Sequence, residues 1–197
     1  MQLITFALTN DSLLSLISGI SGVLSVVYCS QRKLSFYTWS FIQLITYAII
    51  CYNTNLYGKL LENAFYFITL IGGLFIWKTN STDGFVKTKQ LTEKQFAFTA
   101  IITILFVIEG TFILQNFNSN QPFLDSTTTV LGITAQILMM LRFKENWILW
   151  FLQDIICIML WISVHNYCMV SQYIFWTINT IYGYCLWTKN IDNKIYK

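Results

Sequence analysis

Charge is what this 197-residue sequence has least of: Asp, Glu, Lys and Arg together make up 11%, against about 25% in an ordinary soluble chain. A water-soluble globule is excluded on that ground. One proline and nine glycines are too few for a collagen-like or low-complexity disordered chain. The five cysteines, Cys29, Cys51, Cys157, Cys168 and Cys185, lie in or beside apolar segments without a CxxC spacing, and the single histidine, His165, has no companion ligand. Neither a disulfide scaffold nor a metal site is expected from that set, and the thiols read as small buried hydrophobes. A net charge of +3 that is scattered over short gaps forms no basic face, so no nucleic-acid partner is expected. The sequence has no phosphate-cradling glycine loop followed by Lys and Ser or Thr, and too little polar chain to fold an ATPase. No cofactor is implied. The start, MQLITFALTNDS, lacks a basic n-region and a small-residue cleavage pattern, which reads as mature sequence.

What is present instead is length in apolar runs. With 55% hydrophobic residues and a mean hydropathy of +0.56, the chain divides into apolar spans near 12–31, 36–53, 58–77, 95–116, 124–141, 146–164 and 167–187. Each is long enough to cross about 30 Å of hydrocarbon as a helix. The runs are continuous, whereas a membrane barrel needs segments of about ten residues alternating apolar and polar. The expectation is an all-α integral membrane protein of seven transmembrane helices. Ser15, Ser18, Gly22 and Ser25 form a small-residue stripe on the first span, suited to close packing on a neighbouring helix.

Basic residues orient the spans, because Lys and Arg in short loops stay cytoplasmic. Arg32 and Lys33, then Lys78, Lys87, Lys89 and Lys94, then Arg142 and Lys144, and finally Lys189, Lys194 and Lys197 fall on alternate gaps; only Lys59 falls on the other side. This places the N-terminus outside and the C-terminus in the cytoplasm.

The sequence also repeats itself. Setting 12–80 directly against 122–190, without a gap, returns 13 identities in 69 positions. Composition alone yields some of these, but several cluster: Phe41, Gln43 and Ile45 meet Phe151, Gln153 and Ile155, while Phe65, Ile68, Ile71, Gly73 and Trp77 meet Phe175, Ile178, Ile181, Gly183 and Trp187. Three helices per repeat is an odd number, so the span at 95–116 must cross back before the second repeat starts in the same sense. The resulting organisation is 12–80, a linker helix 95–116, and 122–190, a 3+1+3 order of the SWEET type. Two such bundles enclose a mid-membrane seam that can open to either side in turn, which favours transport over signalling or catalysis.

Ionisable and amide groups at membrane depth are the candidate site. Asp154 lies mid-span and shares a helix face with Trp147 and Trp150 at i, i+3, i+7 spacing. No Lys or Arg within the spans neutralises it. Aromatic faces beside a carboxylate suit a flat cation, the rings contributing cation–π contact and the acid a counter-charge. The competing reading is an interfacial Trp pair with an Asp hydrogen-bonded to a neighbouring helix. Gln43, Gln136, Asn63, Tyr66 and Asn179 add polar groups that serve either as interhelical glue or as ligand donors. Glu109 and Asp125 are candidates for gating or proton coupling, Asp125 having also a helix-capping role after Pro122. Glu62 sits near an outer interface.

The segment PFLDSTTTVLGITAQILMMLRFKENWILWFLQD at 122–154, and NLYGKLLENAFYFITLIGGLFIW at 55–77, resemble the Pnu vitamin transporters. The resemblance runs from about residue 15 to 187. It implies a bacterial inner-membrane facilitator, no enzyme, with two three-helix repeats around a linker helix and a trimeric assembly. The family's riboside-binding element, W-x-x-W-x-x-x-N, is met here by Trp147, Trp150 and, in place of Asn, Asp154. It also implies a small cationic vitamin, nicotinamide riboside or thiamine, drawn inward by cytoplasmic phosphorylation. A retinal-type receptor is excluded by the absence of Lys between Tyr167 and Trp187; a sugar carrier explains the aromatics but not the acid.

Overall fold

A computed structural model describes residues 12–53, 57–116, 121–163, 165 and 167–191. The amino-terminal stretch, Asn55 and Leu56, and the tail lysines Lys194 and Lys197 lie outside the described residues, as do the side chains of Lys59 and Cys168. Seven helices are present among the described residues: α1 Ser12–Ser30, α2 Ser35–Asn53, α3 Tyr57–Thr79, α4 Glu93–Asn116, α5 Pro122–Met140, α6 Asn146–Ser163 and α7 Tyr167–Lys189. Their ends fall close to those of the expected spans, as continuous apolar runs bounded by polar turns require.

Three of these helices, over Leu13–Ser30, Glu93–Asn116 and Pro122–Met140, are long and apolar enough by composition alone to cross a membrane. α2, α3 and α7 are of similar length, and α2 and α7 carry more Tyr, Asn, Gln and Thr. Their outward faces are nonetheless apolar: Ile45, Ile68, Phe75, Ile174, Phe175 and Ile178 are exposed, as are Phe98, Ile104, Phe106 and Phe112 of α4. So much exposed Ile and Phe is compatible with lipid and not with water.

The chain falls into two compact units, residues 1–87 and 88–197, each described by itself. In the first, α1 packs on α2 and α2 on α3. The serine stripe of α1 is buried, and a side chain at Gly22 would meet Gln43 Cγ of α2 at 3.4 Å, so the small residues do set a close helix approach. In the second unit α4 packs on α5, α5 on α6 and α6 on α7.

Corresponding turns in the two units are built alike. α1 ends with Arg32 at φ 62°, its N–H donating to Cys29 O at 2.9 Å and that of Lys33 to Tyr28 O at 3.0 Å. α5 ends with Arg142 at φ 71°, its N–H donating to Met139 O at 3.0 Å and that of Phe143 to Leu138 O at 2.9 Å. Both are Schellman closures, in which the left-handed residue is ordinarily glycine. Arginine there costs backbone energy, and at Arg32 the side chain offsets it by donating from Nη1 to Val86 O at 3.0 Å. Further on, Tyr37 meets Trp77 edge-on at 5.4 Å, and Trp147 meets Trp187 edge-on at 5.6 Å. Asn80 and Asn190 each donate from Nδ2 to the carbonyl one helical turn back at 2.7 Å. Every one of these matches falls in the frame that sets 12–80 against 122–190.

A short hairpin between α3 and α4 was not foreseen: β1 Ser81–Thr82 pairs antiparallel with β2 Phe85–Val86. The turn between them is Asp83–Gly84 at φ 52° and 80°, the sequence pair a type I′ turn demands. Val86 N–H then donates to Arg32 O at 2.8 Å, and in the second unit Lys89 N–H donates to Arg142 O at 2.8 Å. Gly84→Val is expected to cost about 1–2 kcal/mol by forcing a branched residue to positive φ. Faster limited proteolysis between α3 and α4, with the helices intact, is the measurement.

Cys29, Cys51 and Cys157 are buried, as expected of structural thiols, whereas Cys185 is exposed on α7. Its place around the helix turns that thiol outward, which residue type alone did not reveal.

Candidate functional site

The sharpest sequence candidate lies where α6 packs on α7 in the second unit. Trp147 is 3% exposed and Asp154 5% exposed. On α7, Thr180, Gly183 and Trp187 repeat the same i, i+3, i+7 spacing and meet α6 in reverse order. The Trp147 ring stands edge-on to Trp187 and lies against Gly183, where an added Cβ would come within 2.7 Å of the indole. Its Nε1 is buried without a hydrogen-bond partner among the described residues. Trp150 is half-buried one turn further along.

Asp154 accepts a hydrogen bond at Oδ2 from Thr180 Oγ1 at 3.2 Å. Among the described residues no Lys or Arg pairs with it. A carboxyl group this deep, with a hydroxyl as its hydrogen-bond partner, is one whose ionised form a cation entering the helix bundle would stabilise. Gln136 and Asn179 are buried in the same unit. Gln153 Oε1 is buried without a partner among the described residues.

The remaining sequence candidates divide by unit. In the first, Asn63 is buried and donates from Nδ2 to Leu44 O at 2.9 Å, which ties α3 to α2. Gln43 is half-buried beside Gly22, and Tyr66 lies against the Glu62 carboxyl one turn earlier. In the second, Glu109 and Asp125 are both exposed. The cap position of α5 is Gln121, with no side-chain cap hydrogen bond, and Pro122 follows. Asp125 stands within the first turn, where its charge suits the helix dipole.

Two residues of this site escaped sequence reading. Thr180 and Gly183 look ordinary on α7, since Thr and Gly are common in membrane helices. One signal was available: in the ungapped alignment of the two repeats Asp154 and Thr180 stand against Leu44 and Leu70, so both members of the pair change from apolar to polar together.

Just outside the spans, Glu145 is buried and accepts the Leu91 N–H at 3.1 Å. Burial raises its pKa, against the opposing pull of that hydrogen bond and of Lys144. Lys89 and Lys144 place their ammonium groups over the rings of Phe143 and Tyr184 at 5.4 and 5.7 Å, which shields cations at the membrane boundary.

Lipid-facing apolar helices with polar and ionisable groups held between them define an α-helical integral membrane protein with a buried polar site. The class narrows on comparison with known proteins. The chain belongs to the family described as nicotinamide mononucleotide transporter, whose model matches residues 12–189. Relatives named nicotinamide riboside transporter PnuC include one from Haemophilus influenzae, 36% identical over 95% of this chain and 84% of the relative. Another from Neisseria mucosa is 30% identical over 95% of this chain and 76% of the relative. A crystal structure of the vitamin B3 transporter PnuC matches with a TM-score of 0.75 at 29% identity, covering 96% of this chain and 86% of that one. The family and these relatives are transporters, and the fold is that of the PnuC-like membrane proteins.

Proposed function

We propose that this protein carries nicotinamide riboside across the bacterial inner membrane by facilitated diffusion. The observation that carries the reading is the relation to riboside transporters over 95% of the chain. The buried Asp154, without a basic partner among the described residues, supports it, since the riboside's pyridinium is a flat fixed cation. Trp147, Trp150, Asp154, Gln136, Asn179, Gln43, Asn63 and Tyr66 are assigned to substrate binding. Glu109 and Asp125 are assigned to gating.

The fold is read as two three-helix repeats, 12–80 and 122–190, joined by the inverting helix at 95–116. The Schellman turns at Arg32 and Arg142 and the aromatic pairs that match in the same frame support this. Substrate moves by alternating access, down a gradient maintained by phosphorylation in the cytoplasm. The N-terminus is outside, the C-terminus inside, and the assembly a trimer.

The test is counterflow of labelled nicotinamide riboside in proteoliposomes of purified protein, with unlabelled riboside or thiamine inside. Saturable exchange driven by internal riboside, and unchanged by a proton ionophore, is the expected result. Exchange supported by thiamine alone would reassign the substrate within the family, and loss of exchange with the ionophore would replace facilitated diffusion by proton coupling.

A further inference from the structure

The same frame that aligns the two units sets Asp154 and Thr180 against Leu44 and Leu70. All four are buried, Leu44 on α2 and Leu70 on α3, Asp154 on α6 and Thr180 on α7, and each helix pair packs together. The leucines show that this position in a packed helix pair is met by apolar side chains. Burying a polar or charged pair is seldom more stabilising than an apolar pair of like volume. Stability therefore does not account for the exchange of Leu and Leu for Asp and Thr in one unit.

The geometry adds a second point. Thr180 donates to Oδ2, while an ionised carboxylate offers about four acceptor sites. One hydroxyl satisfies one of these and fixes the carboxylate's rotation. Thr180 is itself buried between the two packed helices, which holds its hydroxyl at that spot. The carboxyl group is thus held in place by one donor, with its remaining acceptor capacity open to a cationic ligand.

We infer that Asp154 is the charge-selecting residue of the carrier and that Thr180 is its positioning residue. The pair makes the site prefer a riboside with a cationic ring over the same riboside with a neutral one. This rests on the riboside reading above and names what that site selects. The selection belongs to the second unit: the aligned residues of the first carry no charge. It acts on ring charge and not on ring shape, because reduction of a pyridinium to its 1,4-dihydro form changes the charge while nearly preserving the outline.

The experiment measures binding of nicotinamide riboside and its 1,4-dihydro form to the full-length protein in nanodiscs, for wild type, Asp154→Asn, Thr180→Val and Thr180→Ser. Melting curves accompany each variant. Wild type is expected to hold the cation at least about 10-fold tighter than the neutral form, the size of one hydrogen-bonded charge interaction. Asp154→Asn should bring the ratio close to one by weakening the cation alone. Thr180→Val should lower the ratio severalfold, and Thr180→Ser, which keeps the hydroxyl, should restore it. A ratio unchanged in Asp154→Asn overturns the charge-selecting role; one unchanged in Thr180→Val, or not restored by Thr180→Ser, overturns the positioning role. Should Asp154→Asn fail to fold, the Thr180 pair of variants decides, since it alters no charge. Wild type binding both forms equally overturns the inference while leaving riboside transport standing. Wild type binding neither form sinks the riboside reading and this inference with it.

Discussion

Trp187→Ala is expected to lower the melting temperature of the purified protein more than any truncation on its lipid-facing surfaces. Trp187 is fully buried with its indole edge-on to Trp147, so the ring fills part of the α6–α7 packing, and its backbone carbonyl accepts the Thr88 hydroxyl at 2.7 Å. Removing a buried Trp in a soluble core costs about 3–5 kcal/mol, part of it transfer from water and part the cavity left behind. Lipid is as apolar as the protein interior, so the transfer share falls away. The cavity and lost ring contacts remain, at about 2–3 kcal/mol by the same accounting. Trp77, equally buried and packed on Tyr37, should show a similar loss, whereas Phe112→Ala, on an exposed face of α4, should shift the melting temperature little. Intrinsic-fluorescence melts in one detergent compare all three. Equal shifts for Trp187 and Phe112 would show that α6 and α7 do not pack through these indoles.

Gly183→Ala should be nearly as damaging by the opposite route. The added Cβ would stand 2.7 Å from the Trp147 indole, and that ring is wedged against Trp187, so it cannot swing aside as the end of a flexible chain would. Overpacking of this kind costs about 1–3 kcal/mol, and here it also pushes Trp147 off the face it shares with Asp154. Gly110→Ala is the informative comparison. Its Cβ would collide with Ser126 Oγ, a hydroxyl able to turn away at the loss of its bond to Val107 O, which is about 1 kcal/mol. The expected order is therefore Gly183→Ala well below Gly110→Ala in thermal stability, with riboside affinity reduced only in the first. A reversed order would mean that α6 and α7 separate readily and that the glycine is not what lets them approach.

Much of the fold was legible because membrane helices announce themselves by length and apolarity. Span boundaries came close to the observed helix ends since hydrocarbon cannot tolerate a polar turn, so turns sit where the apolar runs stop. The hairpin at Ser81–Val86 was missed for the converse reason: its strands are too short for any periodicity, although the Asp83–Gly84 pair signalled the turn. Asp154 was visible as an acid among apolar residues. Thr180 and Gly183 were not, because a Thr or Gly in a membrane helix carries no information until the facing residue is known. Cys185 was read as buried with the other thiols, yet it is exposed, since hydropathy does not tell the lipid face of a helix from its protein face.

By itself, then, the sequence determined that this chain lives in a bilayer, where its helices start and stop, and that its two halves echo each other in a single ungapped frame. These follow from transfer free energies and from identity, which are properties of the chain in one dimension. Only tertiary structure decided which polar groups are shared between helices. Asp154 finds its hydroxyl on the next helix, and the indole of Trp147 finds its space at a glycine further along that same helix. Antiparallel packing of α6 on α7 sets together residues that no local spacing connects.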